Sequence, residues 1–390
     1  MFKKIPIAWL QLKYQKGQTI AAIVGIAFTA ILLFMQIGFR SGFLESLVQL
    51  PSSFQSEVFL MSASTTTVLK PVTFSERRLY QALAFKEVES VTPIYMSIIL
   101  WKNPKNKAVF IERIQVIGFP VTSSVIDLPG IEDNIDKLKL DNAFLLDEKS
   151  RPELYPVVSD INNQGKAITE IKTNSGLKKI EVIGLFQLGA NTTFNGTVIT
   201  SDSNFFNIFG RNKEEINLGL IKLKPGLDTH KIISKMENYF PNDVKILSKS
   251  ELITKEKDFY EYGSPVGLIF RFGLSGAIIV GTIILYQILY QKISKFIKDY
   301  ATLKAIGHSH KSLVIIVLEQ TLILAILGYI PGLILSAFMY EQLAKDTSLK
   351  FEMTFSVAIA VLLLICLICF TSGLIAVRKL KEADPADIFS

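Results

Sequence analysis

Cysteine is nearly absent from this 390-residue chain; the only two are Cys366 and Cys369, both inside an apolar run. Three residues apart on one helix, they cannot bridge distant parts of the chain, and two thiolates are too few for a structural metal site. Segment 41–262 contains no cysteine at all, so it has to be held by its own core, for which about 220 residues suffice. Histidine is equally scarce. His230 is the only one in 41–262, and a lone histidine on a helix-prone stretch is ordinarily structural or solvated. Neither G-x-S-x-G nor H-E-x-x-H occurs. The nearest approach to a phosphate loop, Gly165-Lys166, lacks the upstream glycine and the hydroxyl residue after the lysine. The chain is therefore expected not to hydrolyse nucleotide itself. Asp147-Glu148, beside Lys149, reads as a solvated turn. Asn191-Thr192-Thr193 and Asn195-Gly196-Thr197 fit the glycosylation pattern, a short and unspecific one. No internal repeat and no low-complexity segment is present.

What the sequence does hold is apolar length. Hydrophobic residues make up 49% and the mean hydropathy is +0.36, yet 20% of residues are charged. Membrane spans joined to a soluble domain fit both numbers. Four segments qualify as transmembrane helices: 18–39, 265–290 (apolar from Phe272 to Tyr290), 313–340 and 354–377. The first is long enough as a helix to cross a hydrocarbon core of about 30 Å. It exceeds the apolar length of a signal peptide and is followed by no small-x-small cleavage site, so it reads as an anchor.

Charge orients these spans. The N-terminal segment 1–17 carries Lys3, Lys4, Lys13 and Lys16 with no acid, and loop 291–312 carries five lysines against Asp299. The tail 378–390 adds Arg378, Lys379 and Lys381. Segment 41–262, by contrast, balances 26 basic against 27 acidic residues. Lysine and arginine concentrate on the cytoplasmic side of spans. Both termini and loop 291–312 are thus expected in the cytoplasm, with domain 40–264 and the short loop 341–353 outside. The net charge of +7 hugs the membrane and needs no nucleic acid to explain it.

The outer segment reads as α+β. Strands are expected at Glu57–Leu69, Val91–Trp101, Ala108–Gly118, Ala167–Thr173, Lys179–Leu185, Ile216–Leu223 and Asp243–Ile246. Ser75, Asp228 and Ser248 or Ser250 are positioned to open helices. Gly263-Ser264-Pro265 marks a break before the second span.

Between the second and third spans lies DYATLKAIGHSHKSL (299–313). Ala301, Leu303, Ala305 and Ile306 give helix propensity and a small apolar face, with Lys304 directed elsewhere. Gly307 is a natural C-terminal stop, and His308, His310 and Lys311 suit the negative end of such a helix. The pattern alone fits either a surface helix resting on anionic headgroups or a docking element. Further on, Glu319 sits about 9 Å into its span by helical rise, where an ionisable group is ordinarily paired or functional; Lys304 is one expected partner. Gly328 and Gly332 form a small-x-x-x-small face, and Pro331 can kink the span. Gly273, Gly276 and Gly281 offer similar faces in the second span.

This order resembles the C-terminal block of the FtsX/MacB-type ABC transporter permeases. The residues that carry it are Leu303–Ser309, Glu319-Gln320-Thr321, Gly328-Tyr329-Ile330-Pro331-Gly332 and the tail Asp384-Pro385-Ala386-Asp387-Ile388. The short N-terminus Ile7–Leu12 and the overall size are most similar to the cyanobacterial DevC-type permeases. The resemblance implies four transmembrane helices with a large extracytoplasmic α+β domain between the first two, in the bacterial inner membrane. It implies that Ala301, Leu303, Lys304, Ala305, Ile306, Gly307, His308 and Ser309 form a coupling helix for a separate ABC ATPase, which binds the ATP and magnesium. It further implies a homodimer, membrane-lipid contact, a membrane-fusion adaptor, a TolC-like outer-membrane channel and export of a glycolipid or other amphiphile. A signalling permease controlling wall hydrolases, or a lipoprotein-release permease, would share the same framework. A membrane sensor would need a larger cytoplasmic segment than any here, and a membrane enzyme would need more polar residues within its spans.

Overall fold

The computed structural model describes residues 7–377 except 15, 105, 107, 108, 123, 124, 174, 175, 190, 348 and 350. The basic tail with its Asp384-Pro385 motif, Lys3 and Lys4, and Asn174-Ser175, where a turn is expected between the strands Ala167–Thr173 and Lys179–Leu185, lie outside the described residues. The chain divides into a helical unit (1–42, 268–344 and 351–390) and an α+β unit (43–267 and 345–350).

The helical unit is built from α1 (Ile7–Tyr14), α2 (Lys16–Ser53), α8 (Pro265–Lys295), α9 (Ile297–Ala305), α10 (His310–Thr347) and α11 (Phe355–Ala376). α2, α8, α10 and α11 are long and apolar enough to cross a membrane. α10 runs past the expected end at Tyr340 because Glu341, Gln342, Leu343, Ala344 and Lys345 all favour helix; hydropathy marks the apolar part of a helix and not its ends. Lacking a hydrophobic drive in lipid, such helices associate through close backbone approach. Gly328 and Gly332 supply it. A Cβ at Gly328 would meet the Ile26 side chain at 2.5 Å, and one at Gly332 would meet Ala30 at 2.6 Å. In the second span Gly273 lies against Gln36 and Gly281 against Thr29, whereas Gly276 has open space beside it. Pro331 lies inside α10 and leaves the Leu327 carbonyl without its helical donor.

Among its described residues the α+β unit carries eleven strands: β1 (Val58–Ser62), β2 (Phe74–Ser75), β3 (Val88–Lys102), β4 (Phe110–Phe119), β5 (Ala143–Asp147), β6 (Ala167–Thr173), β7 (Gly176–Phe186), β8 (Gly196–Ser201), β9 (Glu215–Ile216), β10 (Leu218–Leu223) and β11 (Val244–Ser248). Nine of them form one sheet in the order β11-β1-β10-β3-β4-β8-β5-β7-β6, and β2 pairs with β9. The fifteen-residue β3 serves twice. Its first half pairs with β10, from Val88 to Ile94; its end also pairs with β6 at Leu100 and Trp101. That second pairing closes β3, β4, β8, β5, β7 and β6 into a ring from which β10, β1 and β11 extend. The helices are α3 (Glu76–Gln81), α4 (Tyr155–Gln164), α5 (Asp202–Phe209), α6 (Thr229–Tyr239) and α7 (Lys249–Tyr262). As expected, Asp228 caps α6, Ser248 opens α7 with a full capping box to Glu251, and α7 ends before Pro265.

Two expectations fail for the same reason. The strand expected over Glu57–Leu69 stops at Ser62, because Thr65 and Thr67 spend their side chains on backbone and carboxylate partners, not on a sheet face. Glu256 of α7, 1% exposed, accepts from Thr67 Oγ1 and from the Val68 N–H at 2.7 Å, and so ties down loop 63–73. Asp147 is likewise not in a solvated turn. It is 1% exposed and accepts backbone N–H groups from Leu188 (3.0 Å), Lys149 (3.2 Å) and Gly189 (3.3 Å). Burial raises the carboxyl pKa of both groups above the ordinary range, against the hydrogen bonds that lower it.

A carboxyl whose folded pKa is raised binds more protons folded than unfolded, so stability falls as pH rises through that pKa. Exposed carboxylates with lowered values, such as Asp228 and Glu251, act only below the ordinary carboxylate range. The unfolding temperature of the full chain is therefore expected to rise between neutral pH and about pH 4.5, and Glu256→Gln to flatten that slope. An unchanged slope in thermal scans of the variant would count against this assignment.

Candidate functional site

Segment 291–312 is a helix, a stop and a second helix start. α8 ends at Lys295, and Phe296, 6% exposed, breaks the chain before α9. α9 ends in a Schellman turn: the His308 N–H donates to the Leu303 carbonyl at 3.0 Å, and the Gly307 N–H donates to the Lys304 carbonyl at 3.1 Å. Gly307 holds φ at +102°, a left-handed conformation that other residues enter at a cost. Ser309 then accepts the Ser312 N–H at 3.3 Å, capping the start of α10.

One side of this element is fixed and the other is open. Tyr300 (1% exposed) and Ala301 (2%) are buried. The Tyr300 hydroxyl donates to Gln11 Oε1 of α1 at 3.4 Å, and Gln320 Nε2 of α10 donates to the same oxygen. Burial raises the Tyr300 pKa, so the ring stays neutral and its hydroxyl remains a donor. Ala8 and Leu12 of α1 are buried as well, each 3% exposed. Leu303 is half-buried, whereas Lys304, Ala305, Ile306, Gly307, His308 and Ser309 are exposed. Ile306 is 74% exposed. The structure thus splits the expected group: Ala301 faces inward with Tyr300, and the open surface runs from Lys304 to Ser309.

Glu319 does not join this network. It lies on an exposed face of α10, against an apolar groove of about 520 Å³ with Leu318, Leu322, Leu363, Cys366 and Phe370. Among the described residues its carboxylate has no hydrogen-bond or ion-pair partner, so the expected pairing with Lys304 is not formed. Its neighbour Gln320, 3% exposed, makes the contact between elements instead. A polar residue next to an acid in a span gave little signal of its own. Only the matching amide at Gln11, on the same buried stripe as Ala8 and Leu12, could have pointed to it. Among the described residues no three His, Cys, Asp or Glu side chains converge as a metal site would require.

Gly307→Ala is expected to strain the stop by about 1–2 kcal/mol, speeding hydrogen exchange at the amides of residues 306–308 while leaving that of Tyr300 unchanged. Equal protection in the variant would show that the left-handed turn is not what holds the end of α9.

Comparison with known proteins adds the relationship. Residues 271–385, which include most of α8 and all of α9, α10 and α11, match the FtsX-like permease C-terminal domain. Among solved structures, the chain is similar to the periplasmic region of MacB from Actinobacillus actinomycetemcomitans, at 11% identity and TM-score 0.35, over 51% of this chain and 92% of that one. It is also similar to the extracellular domain of the noncanonic ABC-type transporter YknZ from Gram-positive bacteria, at 13% identity and TM-score 0.32, over 49% of this chain and 98% of that one. No curated protein sequence matches. The part of the chain similar to the FtsX-like permease C-terminal family, residues 271–385, contains the exposed turn Lys304–Ser309.

Proposed function

We propose that the chain is the membrane subunit of an ABC-type exporter, powered by a separate ATPase that docks on Lys304–Ser309. The observation that carries this reading is Ile306. It stands 74% exposed on a turn fixed by two backbone hydrogen bonds, backed by a buried tyrosine. An isoleucine held out in this way loses hydrophobic stabilisation unless something covers it. Lys304 and His308 flank it and suit a partner groove with acidic edges. Because α9 is anchored to α1 and α10 through Gln11 and Gln320, a pull on the turn is transmitted to those helices and not absorbed by a loose loop.

In this reading the protein lies in the bacterial inner membrane with the 291–312 segment and both termini in the cytoplasm and the α+β unit in the periplasm. Two copies present two turns to two motor domains. The family match supports the permease role; resemblance to DevC-type permeases supports a membrane-fusion adaptor, a TolC-like channel and a glycolipid or similar amphiphile as cargo. ATP and magnesium belong to the partner, and this chain supplies no group to their chemistry.

Ile306→Asp is expected to abolish copurification of the ATPase, and with it ATP turnover in the membrane fraction, with the thermal unfolding of the chain unchanged. Retained ATPase in the variant would refute the docking surface. Sidedness has its own check. A cysteine at Ser309 is expected to react with an impermeant maleimide only after the inner membrane is opened, and one at Asn212 before it. The reverse order would overturn the orientation.

A further inference from the structure

A cavity of about 420 Å³ lies in the α+β unit, beside the middle of β3. It exists because β3 changes partners. β10 pairs no further than Ile94 and β6 begins at Leu100, so among the described residues no strand covers that edge of β3 in between. Side chains stand in for the missing strand. Asn217 Oδ1 accepts the Met96 N–H at 2.8 Å, and Arg211 Nη1 donates to the Met96 carbonyl at 2.9 Å and to Asn217 Oδ1 at 3.2 Å. The opposite wall is Lys70 and Pro71, on the loop that Glu256 ties down, with the Asn217 amide donating to the Pro71 carbonyl at 3.2 Å.

Three polar groups on this cavity are left with unused capacity. Arg211 hydrogen-bonds only through Nη1, to a carbonyl and an amide oxygen, while its guanidinium lies 6.0 Å from the Phe205 ring centroid; its remaining N–H groups have no acceptor among the described residues. Lys70 is exposed and likewise has no acidic partner among them. Gln115 of β4 is 2% exposed, lines the cavity, and its amide makes no hydrogen bond among the described residues. A buried amide without a partner is costly, and a site that keeps one ordinarily offers it to a ligand or water. No carboxylate lines the cavity, while two cations do. Ile98, 44% exposed, and Phe209 complete it with apolar surface.

We infer that this cavity binds a small anion, a carboxylate or phosphate monoester attached to a short apolar body. Arg211 and Lys70 take the charged group, Gln115 fills its hydrogen bonds, and Ile98 and Phe209 cover the apolar part. The inference stands on the α+β unit alone and is independent of ATPase docking.

The test is isothermal titration of the full chain in nanodiscs with benzoate and phenyl phosphate, with benzamide as the neutral probe. Saturable binding is expected for at least one anion and none for benzamide. The tighter anion tells a carboxylate ligand from a phosphate ester. Lys70→Glu, at an exposed position, and Gln115→Leu, close in volume, are each expected to weaken binding at least tenfold, and Lys213→Glu, outside the cavity, to leave it unchanged. The inference is overturned if neither anion binds, if benzamide binds as benzoate does, or if Lys70→Glu has no effect.

Discussion

The site at α9 depends on the burial of one ring. Tyr300 lies one turn before the end of α9, and its 1% exposure removes an aromatic surface from water, a gain that a nine-residue helix needs to persist. Helices of that length are marginal by themselves; α9 persists because its tyrosine is packed and its hydroxyl is satisfied by Gln11. The same oxygen of Gln11 takes the Gln320 amide, so α1 is joined through one acceptor to α9 and α10, which lie far from it in sequence. With that side fixed, the other can be presented as a rigid surface. The Schellman turn adds the second requirement, a residue able to hold φ at +102°, which glycine meets without strain.

The α+β unit shows a related economy with carboxylates. Asp147 and Glu256 are buried and form no ion pair among the described residues, each held by backbone N–H groups. An ionised carboxylate in such a place costs desolvation free energy and recovers part of it from several charge-assisted hydrogen bonds. What the fold gains is position: Glu256 fixes loop 63–73, and Asp147 fixes the chain after β7. Loop 63–73 in turn forms one wall of the cavity beside β3, and the change of strand partner along β3 leaves the opening. Long strands that serve two neighbours in succession produce such gaps wherever the first partner ends before the second begins.

Much of this was legible from residue order. Apolar length located the four long apolar helices found among the described residues, because a helix that crosses about 30 Å of hydrocarbon needs about twenty apolar residues. The caps at Asp228 and Ser248 followed from short side chains placed before helix-forming runs, and the hairpin of β6 and β7 from alternation on either side of a turn. Gly307 was identifiable as a stop, and Gly328 and Gly332 as a close-approach face, since only spacing and size matter there. Strands β5 and β8 were not legible: five and six residues buried on both faces carry no alternation. The helices α4 and α5 were not read from the sequence either.

Sequence by itself therefore determined which segments are helical and apolar, where α9 must stop, and which glycines permit contact, all properties of neighbouring residues. Only the tertiary structure decided which residues face outward. It turned Ala301 inward and left Ile306 exposed, set Glu319 apart while Gln320 made the contact, buried Asp147, and left Gln115 facing a cavity. Those outcomes depend on what packs against each side chain from distant parts of the chain, and no local pattern encodes that.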